Sequence, residues 1–180
     1  MLERLRRDHR SMHQLLCLLQ RSANAIRAGE FADLNLMAQA VDYLGHYADI
    51  HHHPVEDTML GHFYEHGGQI QALIAQCERE HANLAAKTQQ LLVPLHQVLL
   101  DGVVPMAQLL DNLDAFLAAE QAHLDFEEGV LFPALEEIAS AADWQRLQRK
   151  VYLEAADSDS RFDSDYYHQM YDEIAQQLAS

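Results

Sequence analysis

Four stretches of this chain place apolar residues at alternating steps of three and four, and a histidine interrupts each stripe. Leu2, Leu5, His9, Met12, Leu16, Leu19, Ala23 and Ile26 form the first. Ala38, Val41, Gly45, Ala48, His52, Glu56, Met59 and Phe63 form the second, with one step of four where three is due. Ile70, Ile74, Cys77, His81, Leu84, Thr88, Leu91 and Leu95 form the third. Leu109, Leu113, Phe116, Glu120, His123, Glu127 and Val130 form the fourth. This is the spacing of helices that bury one face. A core built from these faces has to accommodate four imidazoles and, on two helices, carboxylates.

The stripes lie in four blocks: about Leu2 to Ala28, Asp33 to His66, Gln69 to Leu100, and Pro105 to Ser140. The breaks between them are "AGE", "GG" and "DGVVP", where glycine and proline stop and restart helices. Pro54, Pro94 and Pro133 fall inside blocks, and kinks are expected there. No strand-like alternation of useful length occurs. The pattern predicts an all-α fold, an up-down-up-down antiparallel four-helix bundle with short connections, in residues 1–140. Residues 141–180 are expected to form a C-terminal extension of one or two shorter helices packed on it. There "AADWQRLQRKVYLEAA" reads as a helix, "DSDSRFDSD" as an acidic loop, and "YYHQMYDEIAQQL" as a last helix. Tyr166, Met170, Ile174 and Leu178 would share one stripe of that helix, suited to packing on the bundle or to a dimer contact.

Composition narrows the function. A formal charge of −16 leaves no basic patch for nucleic acid. No apolar run approaches the ~20 residues that span a bilayer, so no membrane role is expected. The first residues, "MLERLRRDHR", are charged and lack a signal-peptide core. Cys17 and Cys77 have no CxxC spacing and suit a reducing compartment, which points to the cytoplasm.

The histidines carry the chemistry. In "DIHHHPVEDTML", helical phase turns His51 and His53 about 100° to either side of His52. His52 and Glu56, at i and i+4, then share the inward face. An unpaired carboxylate in an apolar core costs several kcal/mol, and these stripes supply no lysine or arginine. A metal pair would neutralise Glu56 and Glu127 and engage all four imidazoles. An internal repeat supports that reading: "HHPVEDTML" from His52 and "HLDFEEGVLF" from His123 share a histidine, a glutamate four residues on, a second acid and a closing apolar pair. A lone histidine precedes each copy at a similar distance, His9 and His81.

In "RRDHRSMHQLL", "HHHPVEDTML", "EREHANL" and "HLDFEEGVLFPAL" the chain resembles the hemerythrin-like family, whose bacterial members are called HHE cation-binding domains. The resemblance spans residues 1–140 and implies an up-down four-helix bundle holding two non-haem irons, bridged by carboxylates and capped by histidines. Carried over by position, it implies His9 and His52 on one metal, His81 and His123 on the other, and Glu56 and Glu127 as bridges. Oxygen-carrying hemerythrins place a second histidine one turn from the helix-three ligand. Here those turns hold Cys77 and Ala85, so the second metal has one imidazole fewer. Water, Glu120 or a weaker site would fill the gap, and His13 is a candidate substitute for His9.

Mixed imidazole and carboxylate donors suit iron, which then binds O2, peroxide or NO; zinc or another divalent metal accepts the same donors. The expected function is a metal- and small-ligand-binding protein that binds or senses O2 or a related oxidant, or handles iron, rather than an enzyme. The alternative is a ferritin-like di-iron carboxylate enzyme oxidising Fe2+ or a small substrate. Glu78–His81 and Glu120–His123 supply its Glu-x-x-His pairs, but that architecture also needs a lone glutamate from each other helix. A metal-free interaction bundle would leave Glu56 and Glu127 unpaired or protonated.

Overall fold

The computed structural model describes residues 1–157 and 161–179, with side chains described for 1–153, 166–167 and 169–176. The described residues are all-helical, with no strand among them. Helix α1 spans Leu2–Arg27. It ends where "AGE" was expected to stop it, because Gly29 takes φ +73°, a region costly for any residue with a Cβ. Glu30 N–H then returns to Ala25 O and Gly29 N–H to Ile26 O, which satisfies the last carbonyls.

The second block is composite. Helix α2 (Leu34–Asp42) starts on Asp33, whose side chain accepts from the Asn35 and Leu36 backbone N–H groups. A π-helical segment, Tyr43–His52, follows, and α3 (His53–Phe63) continues to a short 3-10 turn, Tyr64–His66. Helix α4 (Gly68–Leu99) runs unbroken through Pro94. The fourth block repeats the plan of the second: α5 (Met106–Phe126), a π-helical segment Glu127–Leu131, then α6 (Phe132–Ile138).

The expected kinks at Pro54 and Pro133 take the form of these π segments. Each proline lies two residues beyond a π segment and brings no N–H to the ladder, which favours the wider i to i+5 pattern before it. The extra residue resets the inward phase. Val130, expected inward, is 46% exposed, and Leu131 takes its place at 0%. In the first π segment, Gly45 permits close approach to α4: a Cβ there would collide with Thr88 Cγ2.

Helix α1 packs on α5 and α2, and α4 packs on the same two helices. Their apolar side chains form two separate clusters. One contains Met12, Leu16, Ala48, Leu91, Phe116 and Leu124. The other contains Leu5, Met59, Phe63, Cys77, Leu131 and Phe132. On every block the histidine lies between a residue of one cluster and a residue of the other, so a polar layer divides the core.

Helix α7 (Ala141–Asp157) packs on α3 through Trp144 and Leu147. Helix α8 (Arg161–Ala179) packs on α2 and the first π segment. Of the acidic loop expected over 157–165, Asp157 belongs to α7 and 161–165 to α8; residues 158–160 lie outside the described residues. The inward stripe of α8 is Tyr167, Met170 and Ile174, with Tyr167 7% and Tyr166 57% exposed. The side chain of Leu178 lies outside the described residues.

Candidate metal centre

The dividing layer is where the six sequence-predicted donors meet. One donor atom from each of His9, His52, Glu56 and Glu127 lies within 4.8 Å of the others. A second group gathers His53, Glu56, His81 and His123, and a third Cys77, His81, His123 and Glu127, at the same limit. The groups overlap at both glutamates and at His81 and His123, so they form one extended cluster.

The donor atoms of the cluster converge at short range. His9 Nε2 stands 3.0 Å from His52 Nε2 and 3.2 Å from Glu127 Oε2. His52 Nε2 is 3.3 Å from Glu56 Oε1, His81 Nε2 3.5 Å from Glu56 Oε2, and His123 Nε2 3.5 Å from Glu127 Oε1. Yet both Glu56 oxygens, Glu127 Oε2 and His123 Nε2 are buried without a hydrogen-bond partner. Among the described residues no lysine or arginine pairs with either glutamate. Metal–donor bonds of about 2.1 Å place neighbouring donors about 3 Å apart, close to these separations. The donor set therefore fits metal cations.

The far nitrogens of the imidazoles are also provided for. His9 Nδ1–H faces Glu128 Oε1 at 2.9 Å, His52 Nδ1–H faces Asp8 Oδ2 at 3.3 Å, and His123 Nδ1–H faces Glu80 Oε2 at 3.1 Å. Holding the proton on Nδ1 leaves the Nε2 lone pair aimed inward and makes it more basic. These three acids stand in the sequence beside or close to the histidines of other helices, where helical phase alone gives no reason to single them out.

His53 departs from its expected direction. It stacks on His81 with ring centroids 3.8 Å apart and faces Asp49 Oδ1 through Nδ1 at 3.2 Å. It follows the π segment directly, so an α-helical phase counted through that segment misplaces it. The fifth imidazole thus arrives from a neighbouring helix, on the side where the expected histidine of α4 is missing. Cys77 occupies that place in α4, its thiol donating to Glu127 Oε1 at 3.2 Å. His51, by contrast, turns away and packs against Tyr47 and Tyr167.

Electrostatics follows the geometry. Burial and Glu127 push the Glu56 carboxyl up, but His52 and His81 outweigh them and hold it at about 2. Burial likewise works against Glu127, and His81, His9 and His123 together hold it well below the usual carboxylate range. Burial pushes His52 down, while Glu56, Asp8 and Glu127 overcome that and raise it to about 10. His81 rises to about 9 through Glu127 and Glu56 against its own burial. In the metal-free chain, the raised His52 and His81 offset the charge of the two glutamates.

The remaining candidates lie outside the donor groups. His13 is exposed and 3.9 Å from Cys17. Glu78 is exposed and lines a cleft of about 340 Å³ with Asp57 and His81. Glu120 is buried, but none of the three groups includes it. The glutamates of the two Glu-x-x-His pairs are therefore not gathered as a ferritin-like set requires. A second cleft, of about 490 Å³, reaches His9 and Glu128 past Arg6, Arg10 and His13.

Residues 1–135 match the family model described as hemerythrin HHE cation-binding domain. No curated protein and no solved structure matches the chain.

Proposed function

The chain belongs to the hemerythrin HHE cation-binding family, and from that membership and the donor geometry we propose a non-haem di-iron protein that binds or senses O2, NO or peroxide, or handles iron. The observation that carries this reading is the buried pair Glu56 and Glu127, which face histidines and the Cys77 thiol and have three of their four oxygens without a hydrogen bond. His9 and His52 would hold one iron and His81 and His123 the other, with Glu56 and Glu127 as shared carboxylate ligands. His53 would add a fifth imidazole to the second position. Residues 1–140 are the up-down four-helix bundle that carries the centre, and 141–180 are its extension. The two unpaired cysteines accord with a cytoplasmic setting.

Bound iron supplies one-electron redox chemistry and an open position for a small ligand. The chain's own residues do the rest. Glu128, Asp8 and Glu80 keep the protons of His9, His52 and His123 on Nδ1. The two apolar clusters on either side of the layer exclude bulk water, which strengthens every charge interaction within it.

Elemental analysis of protein from iron-replete medium should find two metals per chain, chiefly iron. His52→Ala and His123→Ala should each lose metal, and His51→Ala should retain both. Protein as isolated with no metal, or zinc in both positions, would overturn the reading. Stopped-flow mixing of the reduced protein with O2 then separates a stable adduct or slow autoxidation from repeated turnover of added Fe2+.

A further inference from the structure

Cys77 stands one helical turn before His81, and both face the polar layer from α4. Its Sγ lies 3.2 Å from Glu127 Oε1 and 3.5 Å from His81 Nε2. Opposite this pair, His123 and Glu127 share the same i and i+4 spacing, where α5 runs into the second π segment. His123 Nε2 is 3.5 Å and His81 Nε2 3.8 Å from Glu127 Oε1. Metal–donor bonds of about 2.0–2.3 Å place neighbouring donors about 3.1–3.6 Å apart, close to these four separations. His123 is 3% exposed, and its Nε2 has no hydrogen-bond partner, although Glu80 holds its Nδ1. A cysteine that only fills core space behaves as a small apolar side chain among carbon atoms. Cys77 is fully buried in the cluster of Ile74 and Leu131, yet its sulfur is turned to three ligating groups. In the other half of the internal repeat, the residue one turn before the lone histidine is Leu5, which offers no donor.

We propose that Cys77 is itself a metal ligand, its sulfur joining His81, His123 and Glu127 in a donor set for one divalent cation. The proposal rests on the reading of the layer as a metal centre and gives its second position a thiolate. On binding, the S–H bond breaks, sulfur keeps the electron pair and bonds to the cation, and the proton leaves to the buffer. No electron is transferred. A thiolate is a softer donor than imidazole or carboxylate, and such a mixed set accepts Fe2+, Co2+ or Zn2+. The group of His9, His52, Glu56 and Glu127 contains nitrogen and oxygen donors alone. The two positions therefore differ in chemistry. Glu127 belongs to both groups, with Oε1 toward Cys77 and His123 and Oε2 3.2 Å from His9 Nε2.

The test titrates the metal-free full chain with Co2+ in the absence of air and follows its absorption. A thiolate on Co2+ gives an intense near-ultraviolet charge-transfer band, which imidazole and carboxylate ligands do not. The chain has two cysteines, and Cys17 is exposed, so Cys17→Ser leaves Cys77 as the sole thiol. The band should appear in Cys17→Ser as strongly as in the unaltered protein. Cys77→Ser and Cys77→Ala should lose it while circular dichroism stays unchanged, and one equivalent of Co2+ should bind about tenfold more weakly or worse. Co2+ held by Cys17→Ser without the band would overturn Cys77 as a ligand and leave the metal-centre reading intact, and that result does not depend on how a Cys77 variant folds. A band that survives in Cys77→Ser would do the same. A chain that binds no Co2+ would overturn both.

Discussion

Glu120 lies one helical turn before His123, buried but outside the donor groups. Burial, with Glu127 adding to it and the nearby histidines opposing, lifts its carboxyl to about 8. The unfolded chain ionises this group near 4.5, so the metal-free fold loses stability as pH rises from there to about 8. Glu120→Gln keeps the volume and abolishes that loss. It should stabilise the metal-free protein by on the order of 1–3 kcal/mol at pH 7.5 and much less near pH 4.5. Urea unfolding at the two pH values checks this, and an equal effect at both would refute it.

The cluster histidines act in the same direction, over a higher range of pH. Stabilisation from the raised His52 and His81 is complete below about 6.5 and disappears as pH climbs through 9 to 10. The lowered Glu56 contributes fully above about 4.5 and loses its effect as pH falls toward 2. Metal requires neutral imidazoles, so loading at pH 7.5 should release about two protons per chain from them, beyond the one from Cys77. Titration calorimetry in buffers of different ionisation enthalpy measures that number. A result of about one or below would mean that the imidazoles are already neutral in the empty site.

Among the elements, the two π segments decide what faces inward. Helices α1 and α4 follow a single phase, and their predicted stripes lie inward along nearly their whole length. The second and fourth blocks each gain a residue beside the HxxxE motif. This is why Leu131 replaces Val130 and why His53 joins the centre. Leu131→Ala should cost about 2–5 kcal/mol, as truncation of a fully buried leucine does. Val130→Ala should stay within about 0.5 kcal/mol, the range of surface changes. Similar losses from both, in chemical denaturation, would mean that the second π segment does not exist in solution. The motif that signals the candidate ligands thus also disturbs the periodicity used to read them.

For the whole molecule, the consequence is a core split by charge. The two apolar clusters bury well by themselves, but the layer between them brings two carboxylates together, and bound metal should be a main source of stability. At a free metal concentration one hundred times Kd, each site adds about 2.7 kcal/mol. For a domain of this size, that corresponds to about 5–10 °C in Tm. Scanning calorimetry with and without a chelator should show the difference, and an unchanged Tm would place the stabilising metal elsewhere.

Helical content, the main breaks between blocks, and the shared inward face of His9, His52, His81 and His123 were legible in the sequence, because they depend on spacing along one helix. A period of 3.6 residues is local, and every residue in a block obeys it until a proline intervenes. The arrival of His53 beside His81, the acids behind each imidazole, and the approach of Cys77 to Glu127 depend on register between helices far apart in sequence. Only packing sets that register, through side-chain volumes and the added residue of each π segment, and so only the folded molecule displays it.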